Sequence, residues 1–569
     1  MDNPERVTYF ATTDARGQRV PFGIKEKDRS RHMYIIGKTG MGKSTLLENM
    51  AIQDLQNGAG LAFIDPHGGT ADKLLDYIPE DRVHDVVYFA PFDMDRPLAF
   101  NVIEDVGYDK RHLVVSGLMA TFKKIWQDAW SARMEYILSN TLLALLEYPG
   151  ATLLGVNRMY TDKAYRKQVV DNIKDPLVKD FWTKEFAGYT DRYTQEATPA
   201  IQNKIGQFTS NPLIRNIVGQ PHSSFDIRQM MDEKKILIVN LSKGLVGDTN
   251  MQLLGSMLTT RIFLAAMSRA DTAAPHMATL PHFNFYVDEF QNFANETFAE
   301  ILSEARKYKL NLIIAHQYIE QMEEQVRAAV FGNVGTTIAF RVGPFDAEVL
   351  ETIFSPEFTK EDLVNLGFAQ IYLTLMIDGV GSRPFSAVTI APIEPPPRTF
   401  RGEIIEASRM QFGRPREEVE AAIAAQIENI PPSQEKAPEG KNGGKVHSSR
   451  ATNSPLERKH FPSSSSQNHS PTPPKTADDL KNILRSVARS THTDKSQKET
   501  KKQVALKETL ASVLKNSNQD KPPKPPVRAP VPGPAAPAPR AREGNGEGNP
   551  PQPFEVPQET LKKILKGES

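Results

Sequence analysis

The chain contains no cysteine, which excludes disulfide frameworks, thiol nucleophiles and cysteine-ligated zinc and fits a reducing compartment. Any catalysis must rest on oxygen, nitrogen or metal chemistry. Long hydrophobic runs are missing as well: a strictly apolar stretch such as IFLAAM (262–267) falls far short of the roughly 20 residues that cross a bilayer. The opening MDNPERVTYF has no basic segment followed by an apolar one, so nothing argues for a secretory signal and a cytoplasmic location is expected. Net charge is absent too, with 69 basic and 69 acidic residues. That zero conceals an asymmetry, because residues 1–432 hold 45 Lys and Arg against 55 Asp and Glu while residues 433–569 hold 24 against 14. Attraction to polyanions expected from charge alone therefore belongs to the tail.

What is present, 39% hydrophobic and 24% charged residues in a chain of 569, suits a globular body of more than one domain. Eight runs read as strands: MYIIG (33–37), LAFID (61–65), VVYFA (86–90), ILIVNL (236–241), FNFYVD (283–288), LNLIIAH (310–316), TTIAFRV (336–342) and IYLTLM (371–376). Several are continuous rather than alternating, as for strands covered on both faces of a mostly parallel sheet, so the fold class is α/β. The core should span residues 31–105 and 233–400. Between them, residues 106–232 show helical patterning, as in ARMEYILSNTLLALLEY (132–148), and predict an inserted all-α domain. Residues 1–30 predict a short β lead-in and 401–432 a helical connector. From 433 the composition turns to Pro, Ser, Lys, Asn and Gly, which predicts a disordered C-terminal tail. Within it LKNIL (480–484), LKETL (506–510) and LKKIL (561–565) each pair leucines on one helix face. Such LKxxL motifs suit a partner's groove, or mark transient helicity in a solvated linker.

The stretch YIIGKTGMGKSTLLENM (34–50) matches the phosphate-binding pattern G-x-x-x-x-G-K-[ST] and stands between a strand and a helix, as that pattern requires. In such a loop, here Gly37, Lys38, Thr39, Gly40, Met41, Gly42, Lys43, Ser44 and Thr45, backbone N–H groups and the helix dipole cradle phosphates. Lys43 reaches the terminal phosphates and Ser44 holds Mg2+. The strand FNFYVD ends in Asp288 and Glu289. A lone Asp-Glu pair would be read as a solvated strand end or a helix cap. After four apolar residues, in a chain that has the loop, Asp288 is a candidate for Mg2+ and Glu289 for orienting and polarising the attacking water. LNLIIAHQ ends in His316 and Gln317; Gln317 is either a sensor of the γ-phosphate or a satisfied polar residue at a sheet edge. Hydrolysis also wants a positive charge opposite the leaving phosphate, in cis or from a neighbour. Arg31 and Arg306 are candidates, although arginine is common on solvated surfaces.

Taken in order, DRSRHMYIIGKTGMGKSTLL, FIDPHGG (63–69), FYVDEFQNF (285–293) and SEARKYKLNLIIAHQY (303–318) resemble the HerA/FtsK superfamily of ring ATPases. Within it they look most like the coupling ATPases of conjugation and type IV secretion, over roughly residues 6–400. The resemblance implies a RecA-like P-loop NTPase core, a homo-hexamer with ATP sites at subunit boundaries, and a central channel for DNA contacted without regard to sequence. It implies that residues 106–232 cap the ring and meet substrate or a relaxase-like protein, ahead of a secretion channel. It also implies a trans-acting role for Arg31, which stands twelve residues before Lys43, and it matches Arg306 and Gln317 to an arginine-containing helix and a sensor glutamine. Coupling ATPases commonly begin with transmembrane helices and this chain has none, so attachment to the inner face of the cell membrane would come through partners. The DPHG segment is shared with soluble HerA-type DNA-processing translocases, which are one alternative. A secretion or pilus-assembly ATPase acting on protein is another, and an interaction platform with nucleotide as a switch is a third.

Overall fold

The computed structural model describes residues 3–14 and 19–428; the tail and its LKxxL motifs lie outside the described residues. The strands, in chain order, are β1 (Val7–Thr13), β2 (Pro21–Lys25), β3 (Met33–Ile36), β4 (Gly60–Asp65), β5 (Val86–Phe89), β6 (Ile236–Asn240), β7 (Phe283–Val287), β8 (Leu310–His316), β9 (Thr336–Ala339), β10 (Gln370–Thr374), the short pair β11 (Met376–Ile377) and β12 (Val380–Gly381), and β13 (Phe385–Thr389). Eleven of them form one sheet in the order β2-β1-β13-β10-β9-β3-β8-β7-β4-β6-β5. From β9 to β5 all neighbours are parallel. From β9 back to β2 they are antiparallel. The expected α/β class with a mostly parallel sheet is what the chain forms, and each of the eight apolar runs supplies a strand.

Side chains alternate across a strand, which explains why the runs are apolar throughout. On β3, Met33 and Ile35 enter one core together with Leu61 and Phe63 of β4, while Tyr34 and Ile36 enter the other with Ala62 and Ile64. The first core packs the helix Lys43–Gln56 against the sheet. The second runs without a break into the segment between β5 and β6, which is helical from Arg111 to Asp232. Local signals set its helix starts: Asp162, Asp175 and Asn211 accept N–H bonds at N-caps, and prolines open Pro176–Asp180, Pro199–Thr209 and Pro212–Val218. The described residues all belong to one compact unit.

The N-terminal residues do more than lead in, since β1 and β2 extend the main sheet through β13. Residues expected to connect core and tail also pack: Arg401–Phe412 lies along β5, with Ile404 buried and Ser408 Oγ accepting the Tyr88 N–H at 2.9 Å. Among the described residues no helix is long and apolar enough to cross a membrane.

Candidate active site

The parallel strands β3, β7 and β8 all point their C-terminal ends to one edge, and the polar motifs gather there. Gly37 follows β3 and crosses so close to β9 that a Cβ on it would meet Phe340 Cβ at 2.5 Å. Gly42 has φ 115°, a conformation that favours glycine, and caps the helix Lys43–Gln56. Between these two constraints the loop curls around Lys43, whose Nζ donates to the carbonyl oxygens of Gly37 at 2.6 Å and Lys38 at 3.3 Å. Burial pulls the Lys43 ammonium below its ordinary pKa, against the attraction of Glu289 and Asp288.

Ser44 Oγ donates to Asp288 Oδ2 at 2.9 Å, joining the loop helix to the end of β7. Burial first, then the carboxylates of Glu289 and Asp65, pushes Asp288 up to about 6; the bonds from Ser44 and the Glu289 N–H oppose this. A buried carboxylate beside a hydroxyl is a hard-oxygen pair of the kind that suits Mg2+ carried on phosphates, and it stands at the end of a glycine-rich loop whose Lys43 ammonium is held inside it. The residues present therefore fit a Mg–nucleotide complex. Glu289 sits in the left-handed region at φ 47°, an uncommon conformation for a residue with a Cβ and one that concentrates at functional sites. Its Oε2 takes the Gln291 Nε2 donor at 2.7 Å, and its Oε1 takes the amide of Gln317. Gln317 Oε1 in turn accepts Thr39 Oγ1 of the loop at 2.9 Å. A chain of contacts thus runs from loop to glutamine to glutamate.

Arg31 and Arg306 do not join this group. Arg31 precedes β3 and Arg306 precedes β8, so both stand at the opposite edge of the sheet. From Arg31 to Gly37 is six residues of mostly extended chain, roughly 20 Å. Arg306 is exposed, Arg31 is half-buried, and Arg306 lies near enough to His32 to help hold its ring neutral. Other polar groups of the site were not singled out by sequence reasoning. Asp65, at the end of β4, accepts N–H bonds from His67, Thr70 and Ala71 at 2.8, 2.8 and 3.0 Å and so shapes the FIDPHGG turn. Gln291, two residues after Glu289, carried no pattern except that proximity.

A glycine-rich loop joining a parallel strand to a helix, with a carboxylate pair at the end of a strand two places away, defines a P-loop NTPase. The chain belongs to the type IV secretion-system coupling proteins: the family model for their DNA-binding domain matches residues 18–354. Its structure is similar to that of the plasmid coupling protein TrwB in complex with the non-hydrolysable GTP analogue GDPNP, with a TM-score of 0.50 and 14% identity over 70% of this chain and 92% of that one. The unbound monoclinic form of TrwBdeltaN70 follows at 0.49, with 13% identity over 70% and 97%. VirB4 of Thermoanaerobacter pseudethanolicus follows at 0.46, with 14% identity over 69% and 97%. No curated protein matches the chain in sequence. At these identities the structural likeness speaks to fold, and the family assignment rests on the matched sequence.

Proposed function

We propose that this coupling ATPase binds Mg–ATP at the carboxyl edge of its sheet, hydrolyses it, and uses the turnover to move DNA, or DNA with a bound protein, toward a type IV secretion channel. The observation that carries the hydrolytic reading is the contact chain Thr39–Gln317–Glu289 beside the Ser44–Asp288 pair. In this reading the backbone of residues 37–45 wraps the phosphates, and Lys43 exchanges its two carbonyl partners for phosphate oxygens. Ser44 and Asp288 hold the cation, Glu289 orients the attacking water, and Gln317 links the loop to Glu289. Bound Mg–ATP supplies the reacting phosphoryl group and the divalent charge that screens it.

The chain works as a ring, in our reading a hexamer, in which the edge bearing Arg31 and Arg306 meets the nucleotide edge of the next copy. The supporting observation is that both arginines are too far from their own loop to act in cis. Residues 31–105 and 233–400 form the motor, and residues 106–232 meet DNA or a relaxase-like protein. The protein acts in the cytoplasm, held at the inner face of the membrane by its partners. Contacts to DNA are mainly to phosphates, so binding weakens steeply with salt. The test is steady-state ATPase of the full chain with and without single- and double-stranded DNA, using Glu289→Gln as control. Stimulation by DNA that is lost in Glu289→Gln is expected. Robust turnover indifferent to DNA across a salt series would overturn the DNA motor in favour of a secretion ATPase acting on protein.

A further inference from the structure

The loop that follows Glu289 is gripped from the helical segment. Lys124, in the last turn of the helix Arg111–Ile125, gives its ammonium to the carbonyl oxygens of Gln291 and Ala294. Asn295 Nδ2 donates to Thr121 Oγ1 of the same helix at 3.3 Å. Between these points Ser256 Oγ reaches the Phe293 carbonyl at 3.4 Å, and Phe290 packs edge-on against His316, whose ring is 5.4 Å away. Burial lowers the Lys124 ammonium to about 8 against the attraction of Glu323. Its hydrogen bonds among the described residues go to the two carbonyls of the loop.

Within that loop Gln291 turns back on the residue two before it. Its Nε2 donates to Glu289 Oε2 at 2.7 Å, while its own Oε1 is buried without a partner among the described residues. With Gln317 on Oε1, both oxygens of Glu289 are engaged by amide donors, leaving less of the carboxylate to accept from a water. An amide that satisfies its nitrogen but strands its oxygen has an incentive to move. Turning out toward solvent would lose the bond to Glu289 and relieve the unmatched acceptor.

We propose that Gln291 is a brake on Glu289 and that Lys124 holds the brake in place, so that a shift of Arg111–Ile125 when DNA engages residues 106–232 releases the carboxylate for catalysis. This rests on the hydrolytic reading above. Both are positioning residues, acting through Glu289 rather than on the nucleotide.

The test compares steady-state ATPase of the full-length wild type with Gln291→Met, Lys124→Met, Lys124→Arg and Glu289→Gln, with and without double-stranded DNA. Gln291→Met keeps the side-chain volume and removes the amide. Each methionine variant should raise kcat without DNA at least threefold, leave KM for ATP within twofold, and bring the ratio of stimulated to basal rate close to one. Lys124→Arg, which keeps the donors, should bring that ratio back toward wild type. The double methionine variant should be no faster than either single one, because both act on the same contact. A basal kcat at or below wild type in both methionine variants would overturn the brake. If Gln291→Met fails to fold, the Lys124 pair decides alone. Full turnover in Glu289→Gln would remove the hydrolytic reading, and the brake with it.

Discussion

The two ends of β3 and β8 carry polar groups of opposite character. At the carboxyl ends the groups answer one another inside the chain: Lys43 on two carbonyls, Ser44 on Asp288, Gln317 between Thr39 and Glu289. At the amino ends a buried side-chain network ties the segment before β3 to the helix Lys43–Gln56 and to β7. Arg29 bonds both oxygens of Asp54 at 2.7 and 2.8 Å and the Tyr286 hydroxyl at 2.7 Å, and Asn284 donates to Asp54 at 2.9 Å. Near it lie Arg31, half-buried, and Arg306, exposed. One edge is built to close around a small anion, the other to present cations to something outside the chain. That difference is what the proposed ring uses: the cation edge of one copy would face the anion edge of the next.

The largest effect should come from breaking the closed edge at its centre. Glu289→Gln is expected to lower kcat by about 10²–10⁴, the range for losing a group that handles the reacting proton, while ATP is still retained in filter binding. Lys43→Ala should lose both affinity and turnover. Next, Arg31→Ala should lower kcat by about 10³, the low end for removal of an arginine supplied from a neighbour, with ATP affinity unchanged. Mixing Arg31→Ala with Lys43→Ala chains should restore part of the activity, because some interfaces then pair an intact loop with an intact arginine. Additive inactivity at every mixing ratio would break the proposed meeting of the two edges.

Each edge also holds one buried histidine, which gives a pH test of stability. His32 is lowered to about 4 and His316 to about 3, chiefly by burial. Both are neutral when folded, so their contribution is complete above the unfolded value of 6.5 and is lost as pH falls through it. At pH 5 each should reduce stability by about 2 kcal/mol, while Asp288, raised to about 6, returns about 1. Urea unfolding of the full chain at pH 7.5 and 5.0 checks this. Equal stability at the two values would mean that the histidines are not held neutral. The smallest effect is expected from Thr39→Val, which removes one hydroxyl bond to Gln317; a loss of about 1 kcal/mol corresponds to about fivefold in kcat.

Much of this architecture could be read from the chain because its strands are covered on both faces, and continuous runs such as LNLIIAH have few other uses. The loop was legible for a similar reason, since glycine at 37 and 42 answers local demands of packing and φ. β13 escaped notice: FSAVT is short, half polar, and holds its place by pairing with β1 and β10, far away in sequence. Lys124 and Gln291 escaped for the same reason, being 167 positions apart and joined by a single backbone carbonyl. Arg31 was picked out at the entry to the first strand, twelve residues before Lys43, and Arg306 at the end of FAEILSEARKY, but their shared edge became visible only once β3 and β8 were seen to be adjacent and parallel.

The helix Arg401–Phe412 and the pair β1–β2 flank opposite ends of the same sheet, and this bears on how the protein would fail when shortened. A chain cut before 401 would bare the outer rim of β5, including the Tyr88 N–H now capped by Ser408. A chain begun after 25 would bare β13. Unpaired rims of this kind recruit strands from other molecules, so either truncation should yield protein that polymerises rim to rim, and preparations meant to keep the motor soluble should retain both flanks.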